Sequence, residues 1–182
     1  MKQFLAGTAT VVLICAAACA SGKGSEELAA RLLETSEMHI LYAEAYAAGY
    51  RDSALRDRKP EQEIHCVVSK ITPELVRPVL ANAYSAEFSD DELRQAISFF
   101  ESQAGRNFVR HERIVVKELS GTSTEKVPEL SATEVESIDA FAATRIGKLL
   151  LTPQSPFSAS VKEKLRPQLY GFFEQCGNAQ ER

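Results

Sequence analysis

At 182 residues, 45% of them hydrophobic and 25% charged, the chain is long enough to bury one substantial core. Its formal net charge of −4 argues against nucleic acid or an anionic membrane face as a partner, because both require clustered positive charge.

The N-terminus has the layout of an export signal. Met1-Lys2 gives a short positive start, and residues 4–18 are apolar or small without a charge. That run is about fifteen residues, which suits a signal-peptide core and falls short of the roughly 20 a spanning helix needs. Ala18 and Ala20 supply the small side chains for cleavage before Ser21. Residues 1–20 therefore read as a signal peptide and 21–182 as one domain, periplasmic or secreted. A second route competes with this one. Cys19 follows small residues, as a lipidated cysteine does, although Ala16 stands where such sites usually carry leucine; lipidation there would make an outer-membrane lipoprotein. Only Lys2 is charged in the leader, so 20 basic residues face 25 acidic ones beyond it.

The remainder reads as helix after helix, with apolar residues recurring at three and four. Residues 26–50 are rich in Ala, Leu and Glu, with Leu28, Leu32 and Leu33 on one stripe and a break expected at Thr35-Ser36. Tyr42, Tyr46 and Tyr50 recur every fourth residue on one helix face. They are either core packing or a contact surface for a partner, since tyrosine suits places with one end buried and the other wet. Residues 51–63, mostly charged or polar around Pro60, read as a solvated connection or as frayed helix ends. Two cysteines remain beyond the leader, Cys66 and Cys176. In an exported protein an even pair reads first as a disulfide, with two separate buried thiols as the other reading. Neither cysteine belongs to a CxxC metal spacing.

Thr72-Pro73-Glu74 is a helix start, with a capping threonine, a proline at the first position and a carboxylate at the positive end of the dipole. Pro78 then falls inside that helix, and Pro167 inside a later one, each within Arg-Pro-x-Leu; a kink is expected at both. Ser89-Asp-Asp-Glu92 is a capping box. Leu93, Ala96, Ile97, Phe100 and Ala104 follow as a core-facing stripe. Phe108, Val115, Val116 and Leu119 start another, and residues 120–124 form a loop. Ser131-Ala-Thr-Glu134-Val135 then repeats Ser89-Asp-Asp-Glu92-Leu93 at an offset of 42. At that offset Phe99 meets Phe141, Ser102 meets Thr144 and Gly105 meets Gly147. The expected fold is a single all-α domain of many helices with an internal two-unit repeat, the echo covering residues 131–151.

The phrase Tyr84-Ser-Ala-Glu-Phe88-Ser89-Asp-Asp-Glu92-Leu93, followed by Phe99-Phe100-Glu-Ser102-Gln-Ala-Gly105-Arg106, resembles the signature of the bacterial domain-of-unknown-function family 2059 (DUF2059), specifically over residues 72–119. Phe100 stands where that family often has tyrosine. The resemblance implies an exported helical domain and carries no activity with it.

No constellation for catalysis assembles from the sequence. His111-Glu112 opens like a zinc-protease motif, but Val115 occupies the place of the second histidine. His65 adjoins Cys66, yet neighbours on a helix point about 100° apart, and a disulfide would leave no thiolate. His39 stands alone. Gly22-Lys23-Gly24-Ser25 lacks the glycine spacing of a phosphate loop. Asp139, in the place Ile97 holds in the first unit, is either a solvated stripe edge or a buried carboxylate. No cofactor or metal is expected. The chain reads as a non-catalytic binding or interaction module of the bacterial cell envelope, with an envelope protein or peptide as partner. The alternative is a hydrolase-type periplasmic enzyme with an unrecognised site. A pocket gathering His, Asp or Glu would favour the enzyme, and an apolar groove the binding module.

Overall fold

The computed structural model describes residues 25–119, 121 and 125–177. The expected leader over residues 1–20, with Cys19, and most of the 120–124 loop lie outside the described residues. The described chain is all-α: α1 (Glu26–Ser36), α2 (Met38–Arg56), α3 (Glu61–Lys70), α4 (Pro73–Glu87), α5 (Asp90–Glu101), α6 (Gln103–Leu119), α7 (Ala132–Ala142), α8 (Arg145–Leu151) and α9 (Pro156–Gly177).

α4 packs against α1, α2 and α9, while α1 also lies along α5 and α2 along α6. The face of α4 carrying Val76, Val79, Leu80, Ala83 and Tyr84 is buried. Leu32 and Leu33 of α1, Leu93 and Phe100 of α5, and Val161 and Leu165 of α9 join it in one apolar cluster. At its centre Tyr84 stacks on Phe157 at 5.5 Å, and Phe88 tilts against both rings. Thr72 caps α4 by accepting from the Leu75 N–H. Pro78 and Pro167 each remove a rung of the helical ladder, and both helices run on past them.

The break at Thr35-Ser36 is made by the next residue. Glu37 takes a left-handed φ of 49° and closes α1 through its N–H to the Leu33 carbonyl. That conformation is uncommon outside glycine, and Arg113 of α6 holds the Glu37 carboxylate at 3.0 Å. The connection expected over 51–63 is shorter in the structure, because α2 continues to Arg56 and α3 begins at Glu61. Ala54 is buried, so this last turn has a packing partner. The helix ends in a Schellman closure: Lys59 N–H reaches the Ala54 carbonyl and Arg58 N–H that of Leu55, with Arg58 at φ 56°.

The first stripe is buried as expected, from Leu93 through Phe100 to Ala104. The second stripe is less buried. α6 buries Ala104, Gly105, Val109 and Ile114, whereas Phe108, Val115 and Val116 are only half-buried and Leu119 is 83% exposed.

The 42-residue offset extends to hydrogen bonds. Both capping boxes are complete, with Ser89 N–H donating to Glu92 at 2.9 Å and Ser131 N–H to Glu134 at 2.8 Å. Between α5 and α6 the Ser102 hydroxyl donates to the Phe99 carbonyl at 2.6 Å and accepts from Gly105 N–H at 3.1 Å. Between α7 and α8 the Thr144 hydroxyl donates to Phe141 at 2.7 Å and accepts from Gly147 N–H at 3.0 Å. Ser102 and Thr144 share their backbone angles, φ −74°, ψ 164° against φ −72°, ψ 161°. The Phe99 and Phe141 rings stack on one another at 4.0 Å. The second unit is the more exposed copy in its first helix, while α8 still buries Ile146, Gly147 and Leu150. α7 buries only Phe141, and Asp139, the counterpart of buried Ile97, is exposed.

Candidate functional site

α2 serves both core and groove. His39, Ala43 and Ala54 are buried. Leu41, Tyr42, Ala45, Tyr46, Gly49 and Tyr50 line an open groove of about 1070 Å³, and the tyrosines among them also pack against the apolar clusters beneath. From Met38 to Tyr50 this lining runs about 18 Å along the helix. α6 contributes Phe108, Glu112 and Val116 to the groove, and α9 contributes Lys162, Arg166, Leu169, Tyr170 and Phe173. Phe108 and Val116 of the second stripe line the groove, and Phe108 also packs against the core beneath it.

The three tyrosines occupy a position between the two readings of them. Each is half-buried, and two of them cross to α9. The Tyr42 hydroxyl hydrogen-bonds Ser158 at 3.1 Å, and Tyr50 stacks on Phe173 at 4.9 Å. Tyr46 lies between, its ring 6.1 Å from that of Tyr42. Burial raises the pKa of Tyr42 and pushes that of Tyr46 up to about 12. Burial, and then the Glu63 charge, raise that of Tyr50. The hydroxyls therefore stay protonated near neutral pH, as hydrogen-bonding groups rather than bases.

Cys66 of α3 and Cys176 of α9 are disulfide-bonded, with Cα atoms 5.8 Å apart. Val67, Ile71 and Cys176 form a small second apolar cluster, against which Tyr46, Tyr50 and Phe173 pack. The bridge thus sits behind one end of the groove and fixes its α9 wall. Residues α9 brings to the groove had no sequence signal of their own; Lys162, Arg166 and Tyr170 lie on exposed turns, and only the fold sets them opposite the tyrosines.

A smaller cleft of about 380 Å³ lies along another face of α6, lined by Arg106, Arg110, Arg113 and Lys117. Its charge is largely offset on the spot. Arg113 pairs with Glu37 and Glu44 at 3.0 Å, and Arg110 with Glu125 at 3.1 Å.

The histidines lie apart from one another in role. His65 is exposed and His111 half-buried beside Glu112 at 3.3 Å. His39 is 4% exposed and takes a hydrogen bond on Nε2 from Arg77 of α4 at 2.8 Å. A guanidinium only donates, so Nε2 accepts and the ring proton sits on Nδ1. Arg77 also bonds the Glu34 carboxylate of α1. Among the described residues no three His, Cys, Asp or Glu side chains gather where one metal ion would reach them, and no helix is long and apolar enough to cross a membrane.

His39 gives a pH dependence with a definite sign. Burial, and then the Arg77 charge, lower its pKa below the ordinary value of 6.5. Between the two values the unfolded chain binds the proton and the folded chain does not. Stability is then complete above about pH 6.5 and falls as pH drops towards the folded pKa, by at most about 1.4 kcal/mol per pH unit. Urea unfolding of the wild type from pH 7.5 to 5 is expected to show that fall, and His39→Gln to flatten it. An equal slope in the variant would rule out His39 as its source.

A family model described as "Uncharacterized protein conserved in bacteria (DUF2059)" matches residues 76–133, about a third of the chain. The match runs from within α4 through α5 and α6 to the start of α7, so it includes the α6 side of the groove and leaves out α2 and α9. No curated protein and no solved structure matches the chain.

Proposed function

We propose that the protein is an exported, non-catalytic binding module of the bacterial cell envelope, and that it binds a peptide segment of another envelope protein in the groove over α2. The observation that carries this reading is the tyrosine face. Tyr42, Tyr46 and Tyr50 line a cleft about 18 Å long, beside leucine, alanine and phenylalanine. Half-buried tyrosines suit such a place, with an apolar ring against the ligand; the Tyr42 hydroxyl is taken by Ser158 and that of Tyr50 is buried, which leaves the Tyr46 hydroxyl to meet a ligand. The leader-like residues 1–20 support delivery to the envelope, with cleavage before Ser21 or lipidation of Cys19 as the two routes.

Two measurements test this. Intact mass of the protein from cells is expected to show a chain starting at Ser21, or at an acylated Cys19; a chain still starting at Met1 would overturn export. A photocrosslinking amino acid at position 46 is expected to form a discrete adduct in cells that the same group at Asp139, exposed on α7, does not. Adding Gly49→Leu should suppress the adduct, because a Cβ there meets nothing within 4 Å and the larger side chain projects from the groove lining into the space the ligand would take. Equal adducts from both positions would overturn the groove as the site.

A further inference from the structure

We infer that the occupant of this groove is an amphipathic α-helix of a partner protein, about three turns long, with an acidic flank facing α9. The inference rests on the binding reading above and names the chemistry of what is bound.

Its size sets the class. A volume of about 1070 Å³ over about 18 Å of helix is a mean section of about 60 Å². An α-helix with its side chains is about 10–12 Å across, a section of about 80–110 Å². The groove is therefore too small to enclose a whole helix and large enough to seat one apolar face of it, as in helix-in-groove recognition. A single extended acyl chain would leave most of it empty. About 18 Å corresponds to about 12 residues, or three turns.

The floor suits a close helix approach. Ala45 and Gly49 lie four apart between the tyrosines on the same face, and both are exposed. They leave a shallow seat where a second backbone comes near, as small residues do where helices pack tightly. Much of the wall is helical too: α6 brings Phe108, Glu112 and Val116 to the groove and α9 brings Lys162, Arg166 and Leu169.

Charge sets the orientation of the flanks. Lys162 and Arg166 lie four apart on the α9 wall, and Glu112 is on the α6 wall. Arg166 is partly engaged by Glu163 at 3.2 Å and lies over the Tyr170 ring. Lys162 is exposed on the same wall. A helix in the groove thus meets two cations on one side and one carboxylate on the other. Glutamate or aspartate along the α9 side is complementary, and lysine there is opposed.

The test uses the folded, oxidised protein and fluorescent synthetic peptides of about 16 residues, with leucine at i, i+3, i+4 and i+7. One carries glutamate on the flank that meets α9, one lysine on that flank, and one the same composition scrambled; labelled palmitate is run in parallel. Saturable anisotropy is expected with the glutamate peptide, weaker by about tenfold or more with the lysine and scrambled peptides. Gly49→Leu should weaken it by a similar factor with the circular dichroism melt preserved. Lys162→Glu with Arg166→Glu should reverse the order of the glutamate and lysine peptides. Indifference to flank charge would overturn the acidic-flank assignment. Palmitate binding that Gly49→Leu blocks, with no peptide bound, would overturn the helix and keep the groove as a site. Loss of every probe would overturn both this inference and the binding reading. Concentration-dependent dimerisation that Gly49→Leu abolishes, again with no peptide bound, would make the occupant a second copy of this chain and overturn a separate partner.

Discussion

Cys66→Ala with Cys176→Ala is expected to cost the protein about 4–5 kcal/mol, the chain-entropy value for a loop of this size. The cysteines are 110 residues apart in sequence, so the bridge removes much of the unfolded chain's freedom. Against a total stability of about 5–15 kcal/mol for a domain, that is a large share, equal to a fall in Tm of about 8–20 °C at this chain length. Alanine is the suitable replacement because Cys176 is buried, and serine would bury a hydroxyl there. The loss should begin locally. Past Leu165, α9 buries only Cys176, and its last turns are otherwise held by Leu169 and by Phe173 on Tyr50. Hydrogen exchange in the double variant is expected to rise first over residues 166–177, and the groove to lose that wall before the core opens. Equal melting points for oxidised wild type and double variant would show that the bridge adds nothing to stability.

What could be read in the sequence was what is decided over a few residues. A capping box is settled between positions three apart, and both boxes, at Ser89 and Ser131, are formed. The pairing of Cys66 with Cys176 was legible for a different reason: beyond residue 20 there are only two cysteines to pair. What failed was decided at a distance. Periodicity shows that Phe108, Val115, Val116 and Leu119 share a side of their helix, but not what covers that side. Phe108 and Val116 face a cleft, and Leu119 faces open solvent. The Arg58 turn was missed because a left-handed helix end is signalled by glycine or asparagine, and arginine gives no sign. The tyrosines were the readable part of the site, being three residues on one helix face. The opposing Lys162 and Arg166 become part of it only because α9, more than a hundred residues on in the chain, returns to lie beside α2.

Gly105→Ala and Gly147→Ala are each expected to destabilise the protein by about 3 kcal/mol, at the upper end for forcing one extra carbon into packed structure. The two glycines are the third residues of α6 and α8, each donating its N–H to the hydroxyl that caps its helix. That same hydroxyl donates to the last turn of the preceding helix, at Phe99 or Phe141, which draws the two backbones together. A Cβ at Gly105 would overlap the Phe99 carbonyl oxygen and lie 2.6 Å from the Phe100 Cα, and one at Gly147 would overlap the Phe141 carbonyl, 2.6 Å from its carbon. These neighbours are main chain and have no rotamer to change, so the bend itself must open. Neither glycine has a left-handed φ, so the requirement is for space alone. Gly171 supplies the internal control. It lies within α9 with nothing inside 4 Å of an added Cβ, and alanine there should stabilise by about 0.8–1 kcal/mol through helix propensity. The two bends are also coupled, because Phe99 and Phe141 stack at 4.0 Å and opening either bend displaces one ring of the pair. Once one ring has moved, the second substitution has less packing left to lose, so the double variant should cost less than the two single losses added together. Urea midpoints of the four variants decide this. Losses below about 1 kcal/mol at both positions would sink the close-approach account, and strict additivity would show that the stacked rings do not couple the two units.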